Sequence, residues 1–158
     1  MLGVYLLSVA GYAALAGLPE PAVHDEFAYL LQADTFLHGR LANPAHPLWP
    51  HFETFHVLQQ PTYASRYPPG QAVFLALGRL AFGHPIAGVW LSGALLCLAI
   101  LWMLAGWTPR SWALLGALFA ALRLGFGHYW AQSYWGGNAA GIGITDDTII
   151  TDVFSRGR

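Results

Sequence analysis

Apolar and polar positions fall into blocks along this chain. Met1–Gly17 carries no charged side chain, and neither does Ile86–Trp107. Leu18–Pro68, between them, is polar and holds five of the seven histidines and five of the eight acids. The lengths of the apolar blocks set what each can do, because ~30 Å of hydrocarbon needs about 20 helical residues at 1.5 Å each. Ile86–Trp107, with twenty-two residues, is the strongest predicted span. The first block, 1–17, sits at the lower limit for a transmembrane helix. Its small residues Ala13–Gly17 also suit signal-peptide cleavage, but it lacks the basic start a signal peptide requires, which favours an uncleaved span. A third span is predicted over 111–127. Gly70–Phe82 has only thirteen residues and contains Arg79, so 69–83 reads as a juxtamembrane or re-entrant helix.

Within the polar block 18–68, Pro19 and Pro21 end the first helix. His24–His38 places Phe27, Leu30, Leu31, Ala33, Phe36 and Leu37 at helical spacing, which predicts an amphipathic helix at the membrane surface. Asn43–Pro50 reads as a proline-broken loop and Glu53–Gln60 as a second short helix stopped by Pro61. Arg110 in the short turn Thr108–Arg110 marks that turn as cytoplasmic under the positive-inside rule. The loop 18–68 and the aromatic turn 128–141 then share the outer face. The tail, 142–158, is polar and continues no membrane pattern. The fold class expected is an all-α membrane protein, with about three transmembrane helices and amphipathic juxtamembrane helices in a long outer loop.

Composition supports that reading. Of 158 residues 56% are hydrophobic and 9% charged, and the mean hydropathy is +0.45. Soluble domains carry about 25% charged residues, so the lipid bilayer is the expected partner. A net charge of −1 gives no electrostatic case for nucleic acid. The single cysteine, Cys97, lies in an apolar run and reads as a small buried hydrophobe.

The candidate chemistry is concentrated in the polar segments. Asp25 and Glu26 stand just beyond the first span, where a carboxylate suits general-base work on a hydroxyl. Acids there also suit the first turn of a helix through capping and the dipole. His24, His51, Glu53 and His56 are donors for a divalent ion, although the His-Glu-x-x-His spacing of metalloproteases is absent. Arg66 and Tyr67 sit at the predicted membrane edge, fitted either to hold a lipid phosphate or to anchor the interface. Arg123, near the end of an apolar helix, is a functional candidate or a snorkelling residue. Tyr134 and Trp135 suit stacking on a sugar ring or a place in the aromatic belt.

Four segments carry a resemblance: His24–Tyr29 (HDEFAY), Asn43–Gln60 (NPAHPLWPHFETFHVLQQ), Tyr63–Gly70 (YASRYPPG) and Ser133–Gly137 (SYWGG). In this order and topology the chain resembles the C-type integral-membrane glycosyltransferases, and within them the dolichyl-phosphate-mannose–protein mannosyltransferase-like family. The resemblance implies transfer of a sugar from a polyprenyl-phosphate carrier to an acceptor hydroxyl at the outer face of the bacterial cytoplasmic membrane. By it, Asp25 is the catalytic base and Glu26 assists or orients it. Arg66 or Arg123 holds the carrier phosphate, and Tyr67, Tyr134 and Trp135 join the substrate-site candidates on their own chemistry. It implies no obligatory cofactor. Family members are much longer, so the chain is expected to correspond to their N-terminal part, truncated and inactive alone. A non-catalytic multi-pass membrane protein, as a remnant or assembly partner, is the alternative. A metal-binding module on the His-rich loop ranks below both.

Overall fold

The architecture was taken from a computed structural model, which describes residues 1–145. It is mostly helical. Helix α1 spans Leu2–Ala16, α2 His24–Leu37, α3 Gly70–Phe82, α4 Ile86–Trp107 and α5 Arg110–Gly125. Single 3-10 turns lie at Trp49–His51 and Tyr129–Ala131, and residues 137–145 are helical. Of the expected polar tail, 142–145 fall in that helix and the remainder lies outside the described residues.

Among the described residues one helix, α4, is long and apolar enough to cross a membrane. Helices α1 and α3 are apolar but have fifteen and thirteen residues. Helix α5 has sixteen, with Arg110 at its start and Arg123 in its last turn.

The chain divides into two compact units. Of the described residues, the first comprises Met1–Leu18, Trp90–Gln132 and 137–145. Its core is Tyr5, Val9, Cys97, Ala121 and Ala131, all but excluded from solvent, flanked by Trp90, Ala94 and Leu124. The pairing of α1 with α5 follows from a four-residue period on both helices. Helix α1 buries Tyr5, Val9 and Ala13, and α5 buries Ala113, Ala117, Ala121 and Gly125. A stripe of small residues lets two backbones approach closely. A Cβ on Gly125 would lie 2.9 Å from Ser8 Cβ and 3.2 Å from the Tyr5 carbonyl oxygen, so only glycine fits.

The second unit comprises Pro19–Val89 and Ser133–Gly136. Helix α2 packs on α3, and α3 packs on the first turn of α4, where a Cβ on Gly88 would overlap the Phe74 carbonyl. The buried face of α2 differs from the expected apolar stripe. It consists of Glu26, Ala28, Tyr29, Ala33 and Thr35, while Phe27 is 54% exposed. Small residues allow the close packing on α3, and the larger apolar side chains lie at its margins.

The expected second helix over Glu53–Gln60 is replaced by a small antiparallel sheet. Its strands are β1 (Asn43–Pro44), β2 (Val57–Leu58) and β3 (Thr62–Ser65), in the order β1-β3-β2. Val57 pairs with Ser65 and Leu58 with Ala64, while Asn43 pairs with Tyr63. A segment of this length bounded by prolines forms too few helical turns to offset nucleation. Pairing with β3 satisfies its backbone instead. Pro44 is tolerated because it stands on an edge strand. Asn43 Nδ2 donates to Thr35 Oγ1 at 2.8 Å, tying the sheet to α2.

Candidate functional site

The adjacent acids at the start of α2 point in different directions, as successive helical residues must at about 100° apart. Glu26 turns inward and is 2% exposed. Its Oε2 accepts the Ala22 and Val23 backbone N–H groups at 2.8 and 3.1 Å, closing the otherwise unpaired helix start. Its Oε1 accepts the Tyr134 N–H at 2.8 Å. Two further bonds fasten the same turn. Gln71 Nε2 donates to the Tyr134 carbonyl at 3.1 Å, and the Tyr134 hydroxyl donates to the Pro19 carbonyl at 2.8 Å. Gly136 lies against Tyr29, where an added Cβ would come 3.1 Å from the phenol oxygen. The acid pair and the Ser133–Gly136 turn are therefore in direct contact. Burial, and after it the charges of Glu26 and Glu20, raise the Tyr134 phenol above its ordinary range.

Asp25 faces outward, about one-third exposed, with its Oδ1 2.9 Å from His56 Nδ1. The Tyr67 hydroxyl stands 2.6 Å from the same nitrogen and is itself bonded to the Asp25 carboxylate. One assignment of protons satisfies all three groups. Nδ1–H is shared between the phenol oxygen and the carboxylate, and the phenol O–H donates to the carboxylate, leaving His56 Nε2 as the imidazole acceptor when the ring is neutral. Burial, with the hydrogen bond and charge of Asp25, pushes the Tyr67 phenol up to about 12, so it keeps its proton. Tyr29 stacks on Tyr67 with centroids 4.9 Å apart, and His24 stacks on His56 at 5.6 Å. Burial, then the Asp25 charge, raises the Tyr29 phenol too.

The β2–β3 ladder brings these groups together. One step beyond Val57–Ser65, the Arg66 N–H donates to the His56 carbonyl at 3.1 Å, which puts His56 beside Arg66 and Tyr67. Arg66 is exposed, and its Nη1 donates to the Phe55 carbonyl at 3.1 Å. His24, Glu53, His56 and Arg66 line an open cleft of about 550 Å³.

Trp135 is half-buried in the clamped turn, its N–H 3.4 Å from Ser133 Oγ. His51 is exposed at the end of its 3-10 turn. Among the described residues no three His, Cys, Asp or Glu side chains converge on a point that would hold a metal ion. His24, Glu53 and His56 share the cleft, but the two imidazoles lie face to face. Arg123 belongs to the first unit, exposed on α5, where its charge adds to burial in lowering the His128 imidazole. Two positioning residues are not among the site candidates read from the sequence, Gln71 and Tyr29, although Tyr29 closes the segment His24–Tyr29. Gln71, a lone amide in the first turn of a helix whose only other polar side chain is Arg79, was the available signal. No protein-family model, curated protein or solved structure matches this chain.

Proposed function

We propose that this chain carries the catalytic loop of a membrane glycosyltransferase, moving a sugar from a polyprenyl-phosphate carrier to an acceptor hydroxyl outside the bacterial cytoplasmic membrane. One observation carries the reading: a partly exposed carboxylate, Asp25, is held by His56 and Tyr67 beside a cleft whose wall bears Arg66. In this mechanism Asp25 takes the acceptor hydroxyl proton as that oxygen bonds to the anomeric carbon. The sugar–phosphate C–O bond breaks and its electron pair leaves with the carrier phosphate. The Arg66 guanidinium offsets the charge on that leaving group. Glu26, its oxygens occupied by three backbone donors, positions Asp25 by fixing the helix start and the 133–136 turn. Helices α1, α4 and α5 serve as the spans, and their exposed side chains, including Leu7, Leu15, Trp102 and Phe119, face lipid.

The test uses the full chain in membranes and a photoactivatable polyprenyl-phosphate mannose. Labelling is expected to be displaced by unlabelled polyprenyl phosphate and weakened in Arg66→Ala, while Asp25→Asn retains it. Labelling that no carrier phosphate displaces would overturn the proposal.

A further inference from the structure

A second cleft adjoins the first. It measures about 540 Å³, within the usual range for small-ligand sites, and shares Thr54 and Val57 with the cleft that holds Arg66. Its chemistry is different. Glu53 and Arg66 line the first cleft, whereas no Asp, Glu, Lys or Arg lines the second. A charged ligand entering it would lose hydration and meet no carboxylate, ammonium or guanidinium in return. The wall instead offers Phe52, Tyr63, Pro44, Pro47, His46 and Gln59. Phe52 is 54% exposed, and the His46 ring meets it edge-on at 5.3 Å and 85°, fixing the phenyl orientation. Gln59 is buried, and its Nε2 donates to the Phe52 carbonyl at 2.8 Å, which sets the direction of the amide. Strand pairing pins both sides, through Pro44 opposite Thr62 and Leu58 opposite Ala64. The cleft is thus preorganised, free of carboxylate, ammonium and guanidinium groups, aromatic and furnished with an amide and a phenol.

We infer that this second cleft binds the acceptor, and that the acceptor is a neutral saccharide. The inference rests on the transferase reading and names its acceptor class. A sugar ring offers a C–H face for Phe52 and the prolines, and hydroxyls for the Gln59 amide and the Tyr63 phenol. An extended peptide fits less well. Strand addition draws on a row of free backbone groups along a sheet edge. The edge strands β1 and β2 have two residues each, and Pro44 has no N–H to offer. The shared wall at Thr54 and Val57 sets a sugar hydroxyl beside the cleft that His56 lines, next to Asp25.

The experiment is saturation-transfer NMR on the full chain in nanodiscs, without donor. The probes are methyl α-mannopyranoside and an eight-residue Ser/Thr peptide. Saturation of the sugar ring protons is expected, with affinity reduced about tenfold in Phe52→Ala, the scale of one lost aromatic contact. Gln59→Leu is expected to weaken the sugar as well. Phe52 is half-exposed, so Phe52→Ala should keep the wild-type circular dichroism. Saturation of the peptide alone, or sugar saturation indifferent to Phe52→Ala, would overturn the inference. Absent sugar binding by a wild-type chain that still labels with the carrier probe defeats the acceptor assignment alone. Absent carrier labelling defeats the transferase reading.

Discussion

Glu26→Ala isolates the positioning role from the chemistry of its neighbour. The substitution removes one acceptor group from three backbone N–H groups. The Ala22 and Val23 N–H groups lie near solvent and are partly rehydrated, so their loss resembles that of a helix cap, about 1 kcal/mol. The bond from the Tyr134 N–H is buried, and an N–H stranded there costs about 1–3 kcal/mol. The sum is about 3 kcal/mol, or roughly 6–12 °C in melting temperature for a cooperative chain of this size. Glu26→Gln is expected to recover only part of it, because its amide nitrogen must face one of the same donors. Asp25→Asn is the control. Asp25 is one residue away but partly solvated, and an ion pair of that kind contributes at most about 1 kcal/mol. Thermal unfolding of purified protein, followed by tryptophan fluorescence, reads all three variants. A Glu26→Ala melting temperature within about 2 °C of wild type would refute the account, since it would mean that the stranded Tyr134 N–H costs almost nothing.

Three further outcomes are expected. Gly88→Ala places a methyl group into the Phe74 carbonyl and should destabilise the α3–α4 contact by about 2 kcal/mol, the usual cost of overpacking, measured by thermal melting; Gly3→Ala, which meets nothing within 4 Å, should not. In an absorbance titration at 295 nm, the difference between wild type and Tyr67→Phe should show one phenol ionising near 12 rather than 10. Because the folded value is raised, the stabilisation from this group is complete below pH 10 and is lost as pH rises through about 12, and Asp25→Asn should move the midpoint down. For topology, His46→Cys should react with an impermeant thiol reagent in intact cells and Pro109→Cys should not. The native Cys97 is buried and should stay silent.

What the sequence alone determined was local. Runs of apolar residues and the Pro and Gly between them place helix boundaries through backbone sterics and burial over a few turns, so α3 and α4 occupy Gly70–Phe82 and Ile86–Trp107 as their patterns indicated. The polar loop was also visible as the place of candidate chemistry, because no apolar environment would take so many His, Asp and Glu side chains unpaired. What the tertiary structure decided was how those residues are used. The use of Glu26 as an anchor depends on a Tyr134 N–H that arrives from 108 positions away. The His56–Tyr67 pair depends on a β2–β3 ladder that replaced an expected helix, because strand pairing satisfied the backbone where an isolated turn would not. Contacts of that kind are set by the path of the whole chain. A local pattern supplies the side chains for them and carries no information about which ones meet.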